Sequence, residues 1–196
     1  MKKIELTILW ILLCGFVSAQ NFTGILTMET ENIEIGEKAT AKIYIQPPYC
    51  KMEINATTSA GTNSYTLLCN QENSDITMIS GGTKTTVSSG SAGKSKYLEN
   101  ILIATPTNTK QNLLGYDCTL IKMKSTNASI ECIVANNLTV NLPATLQSGI
   151  LQSLKENGIS GTPLEIIVKD LSGKTVITQK VTSIVKQELN DAIFSN

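Results

Sequence analysis

The chain contains no histidine and no arginine. Without an imidazole base, neither Ser-His-Asp nor Cys-His catalysis can be assembled, and a zinc centre built on His ligands is excluded. Without guanidinium groups, the bidentate fork that grips phosphate and carboxylate is missing; every cation is a lysine. The single tryptophan, Trp10, lies in the extreme N-terminal segment, so the remainder has no Trp platform for a sugar. Charged residues are only 16% of the chain, the two signs balance, and no basic run or face stands out. Nucleic acid is therefore not expected as a partner. Catalysis would have to use carboxylates, Lys or Tyr, and no pattern in the sequence pairs two acids. A carboxylate enzyme such as a glycosidase has no support, so the chain is read as a non-enzyme without cofactor or metal.

What is present begins at the N-terminus. Met1-Lys2-Lys3 is a short basic start, Ile8 to Phe16 is apolar, and Val17-Ser18-Ala19 supplies the small residues of a peptidase site. This is the pattern of a secretory signal spanning 1–19, cleaved after Ala19. The apolar run is shorter than the ~20 residues a membrane span requires, and no later stretch reaches that length. Cys14 lies inside the run, but Leu13 precedes it where a lipoprotein signal places a small residue, so a lipid anchor at Cys14 is not expected. Residues 20–196 then form a single extracytoplasmic domain, periplasmic or secreted. Losing Lys2, Lys3 and Glu5 leaves that domain close to a charge of minus one.

Outside the cytoplasm thiols oxidise. Four cysteines remain, Cys50, Cys69, Cys118 and Cys132, and four cysteines allow three pairings. Cys50 and Cys69 are nearly equidistant from the turn at 59–62, and Cys118 and Cys132 are nearly symmetric about Ser125-Thr126-Asn127. Facing positions across a hairpin suit a disulfide, so the expected bonds are Cys50–Cys69 and Cys118–Cys132. No Cys-x-x-Cys spacing points to a metal instead.

The body of the chain alternates with period two. Phe22, Gly24, Leu26 and Met28 share one face, as do Ala41, Ile43 and Ile45 of the next segment, the mark of half-buried antiparallel strands. Further strands are expected at 48–56, 64–70, 74–80, 101–104, 110–114, 116–124, 130–135, 163–169 and 174–186. The last two form a hairpin in which Ile166 and Val168 are expected to oppose Val176 and other apolar residues of the return strand. Glu188 to Phe194 reads as a short terminal turn, with Phe194 plugging the end of the core. Ser88 to Ser95 reads as a loop. Its Gly-Lys-Ser ending is a poor phosphate loop, because neither the leading glycine nor a buried strand is in place. One helix is expected between Pro143 and Gly158, residues that suit a helix start and stop. Leu146, Ile150, Leu151 and Leu154 fall on one stripe of it, and Lys155 complements its C-terminal dipole. That stripe is either core or one wall of a ligand cavity.

Gly115-Tyr116-Asp117-Cys118, then Gly161-Thr162-Pro163-Leu164-Glu165, then Val181-Thr182-Ser183-Ile184, and finally Leu189-Asn190-Asp191-Ala192-Ile193-Phe194 occur in this order. Over residues 111 to 194 the chain resembles a family of secreted bacterial proteins carrying a domain of unknown function, kin to the GLPGLI family. The resemblance implies the wider fold of the LolA lipoprotein carriers, an incomplete antiparallel β-barrel whose apolar face is covered by helices. None of these motifs is catalytic. The chain departs from the carriers in having one evident helix and no arginine to hold a lid, so their activity does not transfer with the fold.

The expected architecture is mainly β: a curved antiparallel sheet of about nine to eleven strands, an incomplete LolA-like barrel, with one main helix packed on it. The expected function is non-catalytic binding of a lipid or other apolar ligand in the half-barrel, with Leu146, Ile150, Leu151 and Leu154 as ligand-facing residues. The alternative is a structural or protein-interaction domain of the cell envelope.

Overall fold

The computed structural model describes residues 22–70, 76–87, 97–98, 101–140 and 149–195. The expected N-terminal signal with Cys14 and Ala19, the Gly-Lys-Ser loop, Pro143 and Leu146 lie outside the described residues.

Two meanders make up the sheet. The first runs through β1 (Gly24–Asn32), β2 (Glu37–Gln46), β3 (Tyr49–Thr58), β4 (Gly61–Asn70), β5 (Ile76–Ser80) and β6 (Thr83–Val87). The second runs through β7 (Ile101–Leu113), β8 (Tyr116–Ser125), β9 (Ala128–Ala135), β10 (Thr162–Asp170) and β11 (Thr175–Lys186). Within each meander, every strand pairs antiparallel with its sequence neighbour, and β1 pairs with β11 to join the meanders into one eleven-stranded sheet. The order is β6-β5-β4-β3-β2-β1-β11-β10-β9-β8-β7, so β6 and β7 are open edges and the barrel stays incomplete. Between β9 and β10 lies α1 (Gly149–Glu156), the one α-helix among the described residues, and a 3-10 turn (Asp191–Ile193) follows β11.

The period-two pattern sorts the two faces. On one, Leu26, Met28, Ala41, Ile43, Ile45, Met52, Ile54 and Leu67 are buried. On the other, Lys42 and Lys51 lie over the Tyr44 ring, and the Tyr44 hydroxyl donates to Glu53 at 3.0 Å. A bulge at Thr27/Met28 opposite Ser183 and Val181 lets β11 keep both Val181 and Ile184 on the apolar side. The Val181-Thr182-Ser183-Ile184 motif sits at this bulge.

Three expectations change. Strand β6 is not among the expected strands, because Thr83-Lys84-Thr85-Thr86-Val87 has no apolar alternation; its residues up to Thr86 are exposed, and it is held only by the β5 ladder. The two strands expected around Pro106 are one long β7, which bulges between Pro106 and Lys110. An edge strand tolerates a proline that cannot donate to the ladder. Third, Val168 faces Ile177, an apolar residue of the return strand as expected, whereas Ile166 faces Gln179 and neither faces Val176.

The cysteines divide. Cys50 stands directly opposite Cys69 in the β3–β4 register. Cys118 stands opposite Ala135, and Cys132 opposite Ile121. The pair is thus offset by three residues, which is ~10 Å along a strand and, being odd, puts the side chains on opposite faces. A disulfide needs Cα atoms within ~7 Å, so the expected Cys118–Cys132 bond does not fit this register. All four cysteines are thiols in the structure, and all are buried.

Candidate ligand-binding face

The helix α1 places the predicted stripe. Gly158 follows its last turn at φ +67°. The Gly158 and Ile159 amides donate to the Lys155 and Leu154 carbonyls at 3.0 and 2.9 Å, closing the helix with a glycine past its end. Ile150, Leu151 and Leu154 point into the sheet, exposed by 0%, 0% and 1%. They pack with Tyr97 and Leu98 from the segment before β7 and with Ile121, Ile130, Val134 and Val168 of the second meander. The structure therefore brings three of the four predicted residues into one apolar cluster.

A second apolar cluster covers the first meander. Phe22, Leu26, Met28, Ile43, Met52, Ile54 and Leu67 form it, joined by Leu138 and Val140 from the chain after β9 and by Leu164 of β10. The Thr162 hydroxyl donates to the Leu138 carbonyl at 2.8 Å and is itself fully buried, pinning that crossing segment against β10. Methionines 28, 52 and 78 belong to this cluster or its border, and Met123 to the other. Methionine side chains are flexible and polarisable and fit varied apolar partners.

Where the clusters meet, the apolar face carries polar residues. Thr30 and Asn32 continue the Leu26/Met28 face at the end of β1. Thr30 lies between Ala39 and Gln179, and Asn32 lies between Glu37 and Ile177. All four polar residues are buried: Thr30 3%, Asn32 4%, Glu37 8% and Gln179 2% exposed. The Thr30 hydroxyl oxygen and the Asn32 amide oxygen are sealed from solvent without a hydrogen-bond partner. On β4, burial and then the Glu37 carboxylate push the Tyr65 phenol up. The sequence reading missed this strip, although the period-two pattern that assigned Leu26 and Met28 to the apolar face, carried on by two steps, reaches Thr30 and Asn32.

At the far end of the first meander, an opening of about 270 Å³ is lined by Tyr49, Cys50, Leu68, Cys69, Asn70, Thr77 and Phe194. The C-terminal turn borders it. Gln46 donates to Asp191 at 2.8 Å and accepts from the Leu189 amide at 2.8 Å, and the Phe194 ring lies 5.9 Å from that of Tyr49. Phe194 does not plug the core as expected; it is half-buried at this rim. The hydrogen bond to Cys69, burial and the neighbouring Cys69 charge all push the Cys50 thiol up. A thiol held protonated is a poor nucleophile, so Cys50 does not have the electrostatics of a catalytic cysteine.

A family model described as a domain of unknown function, DUF4412, matches residues 22–196. The chain belongs to the DUF4412 family. The match spans both meanders, extending the resemblance from the C-terminal motifs to the first strand; the GLPGLI kinship is not part of it. No curated protein matches the chain. Among solved structures, this DUF4412 domain is similar to an uncharacterised conserved protein from Thermus thermophilus, at 12% identity and TM-score 0.43, over 89% of this chain and 85% of that one. It is also similar to a chain in the MucA/MucB complex of Pseudomonas aeruginosa, at 8% identity and TM-score 0.46, over 88% of this chain but 54% of that one. A third is a putative outer membrane lipoprotein-sorting protein domain from Vibrio parahaemolyticus, at 10% identity and TM-score 0.37, over 88% of each chain. No helix among the described residues is long and apolar enough to cross a membrane.

Proposed function

We propose that this DUF4412 domain is a non-catalytic extracytoplasmic module that binds a lipid or other apolar ligand on the inner face of its half-barrel. The supporting observation is the extent of the apolar surface on that face. Two apolar clusters, one on each meander, meet at the short polar strip of Thr30 and Asn32; together they include four methionines and are lined at one side by α1. An apolar concave surface with a few polar groups set into it is the usual composition of a small-molecule site. Leu146, Ile150, Leu151 and Leu154 would form the helical wall. The extracytoplasmic location rests on the signal pattern of residues 1–19.

The test is binding of a fluorescent fatty acid to the mature protein, repeated with Ile150→Ala and Leu154→Ala. A wall residue should alter probe affinity when truncated and cost well under the ~2–5 kcal/mol of a close-packed core position. The second reading, a structural or protein-interaction domain of the envelope, is favoured by the complete burial of Ile150 and Leu151. It is supported if the parent binds no probe and both truncations cost the full amount.

A further inference from the structure

Thr30 and Asn32 occupy costly positions. An unpaired buried hydroxyl or amide oxygen destabilises a fold, whereas an apolar group of the same shape does not. Both residues lie on one face of one strand, two positions apart, so their Cα atoms are ~7 Å apart. A single small polar group placed between the two side chains can reach both. Asn32 offers an acceptor and Thr30 offers both a donor and an acceptor. Glu37, directly across the ladder from Asn32, adds a buried carboxyl beside them. An anionic headgroup would be repelled there, whereas a neutral donor would be accepted.

We propose that Thr30 and Asn32 form a polar anchor for a neutral hydrogen-bonding group, a hydroxyl or an amide, carried within the apolar chain of the ligand. Its O–H or N–H donates to the Asn32 oxygen and its hydroxyl or carbonyl oxygen accepts from the Thr30 hydroxyl, while the flanking methylenes lie on the two apolar clusters. This inference rests on the apolar-ligand reading and adds a chemical class to it: a chain bearing an internal hydroxyl or amide is preferred over a plain chain. The same arrangement explains why polar residues persist at the junction of two apolar clusters, where valine or leucine would pack without penalty.

The experiment is competition against a fluorescent fatty acid on the mature protein, using ricinoleic acid, which has a mid-chain hydroxyl, and oleic acid, its plain counterpart. The parent should prefer ricinoleic acid by about fivefold or more, the worth of one net hydrogen bond. Thr30→Val and Asn32→Leu should abolish the preference while leaving oleic acid binding intact. Both variants should also melt at a higher temperature than the parent, which a purely structural role for these oxygens would not produce. Equal affinities in the parent, a preference that survives both substitutions, or lowered melting temperatures would overturn the anchor. Failure of both acids to displace a bound probe would overturn it too. Failure of the probe itself to bind removes the apolar-ligand reading, and the anchor with it.

Discussion

Gly161→Ala, at the entry to β10, tests the close approach of β9 and β10. Gly161 has φ +120°, and a Cβ built there would meet the Ala135 carbonyl oxygen at 2.3 Å and Val134 Cγ1 at 2.9 Å. Two costs combine. An L-residue in that backbone region carries ~1–3 kcal/mol of strain. The contact is with backbone, so β10 must shift from β9, and the next residue, Thr162, then loses its bond to the Leu138 carbonyl, worth ~1 kcal/mol. The sum is ~2–4 kcal/mol, which for a domain of this size lowers Tm by ~4–16 °C. Gly158→Ala is the internal control. Gly158 is also at positive φ, +67°, but nothing lies within 4 Å of its Cβ position, so only the backbone term of ~1 kcal/mol applies. Urea unfolding of both variants against the parent gives the comparison. Equal losses, or a loss below ~1.5 kcal/mol at Gly161, would refute the packing of β10 on Ala135.

On oxidation with a small-molecule disulfide, which accepts the two electrons of the thiol pair, Cys50 should link to Cys69 while Cys118 and Cys132 remain reduced. A Cys118–Cys132 peptide in a non-reducing map would contradict the β8–β9 register. Leu114 has φ 54° in the two-residue turn between β7 and β8, so Leu114→Asn, which tolerates that region, should raise stability by ~0.5–1 kcal/mol; an unchanged or lower Tm argues against the turn. Asp170 accepts from the Ser172 hydroxyl at 2.6 Å and from the Ser172 and Lys174 amides at 2.9 and 3.0 Å, and the Ser172 bond leads in lowering its pKa. A carboxyl with a lowered folded pKa stabilises the fold above its unfolded value near ~4 and loses that contribution as pH falls through the folded value. Asp170→Asn should therefore narrow its stability gap to the parent as pH falls below ~4, and a gap that stays constant with pH would argue against the assignment.

Neighbouring pairings were legible in the chain before any fold was known. Alternation on β1 and β2, the Ser-Ala turn between β3 and β4, and Gly158 past the end of α1 are short-range features, because the chemistry that sets them lies within a few residues. Composition also excluded histidine-based catalysis outright. The errors were in centring and in edges. The β8–β9 register centres between Thr126 and Asn127, whereas symmetry of Cys118 and Cys132 requires a centre on Ser125; an offset of one and a half residues at a turn becomes three along the ladder. The edge strand β6 has no buried face to reveal it, and Pro106 read as a break only because the sequence does not show that β7 lies at an edge. The pairing of β1 with β11 emerges only in the assembled sheet. Those strands lie roughly 150 residues apart, and nothing local specifies which strand completes the sheet beside β1. That pairing sets Gln179 beside Thr30 and Ile177 beside Asn32, and so creates the polar strip. Each residue alone looks like an ordinary polar position on a strand, and only the joining of two apolar faces around it makes its burial costly.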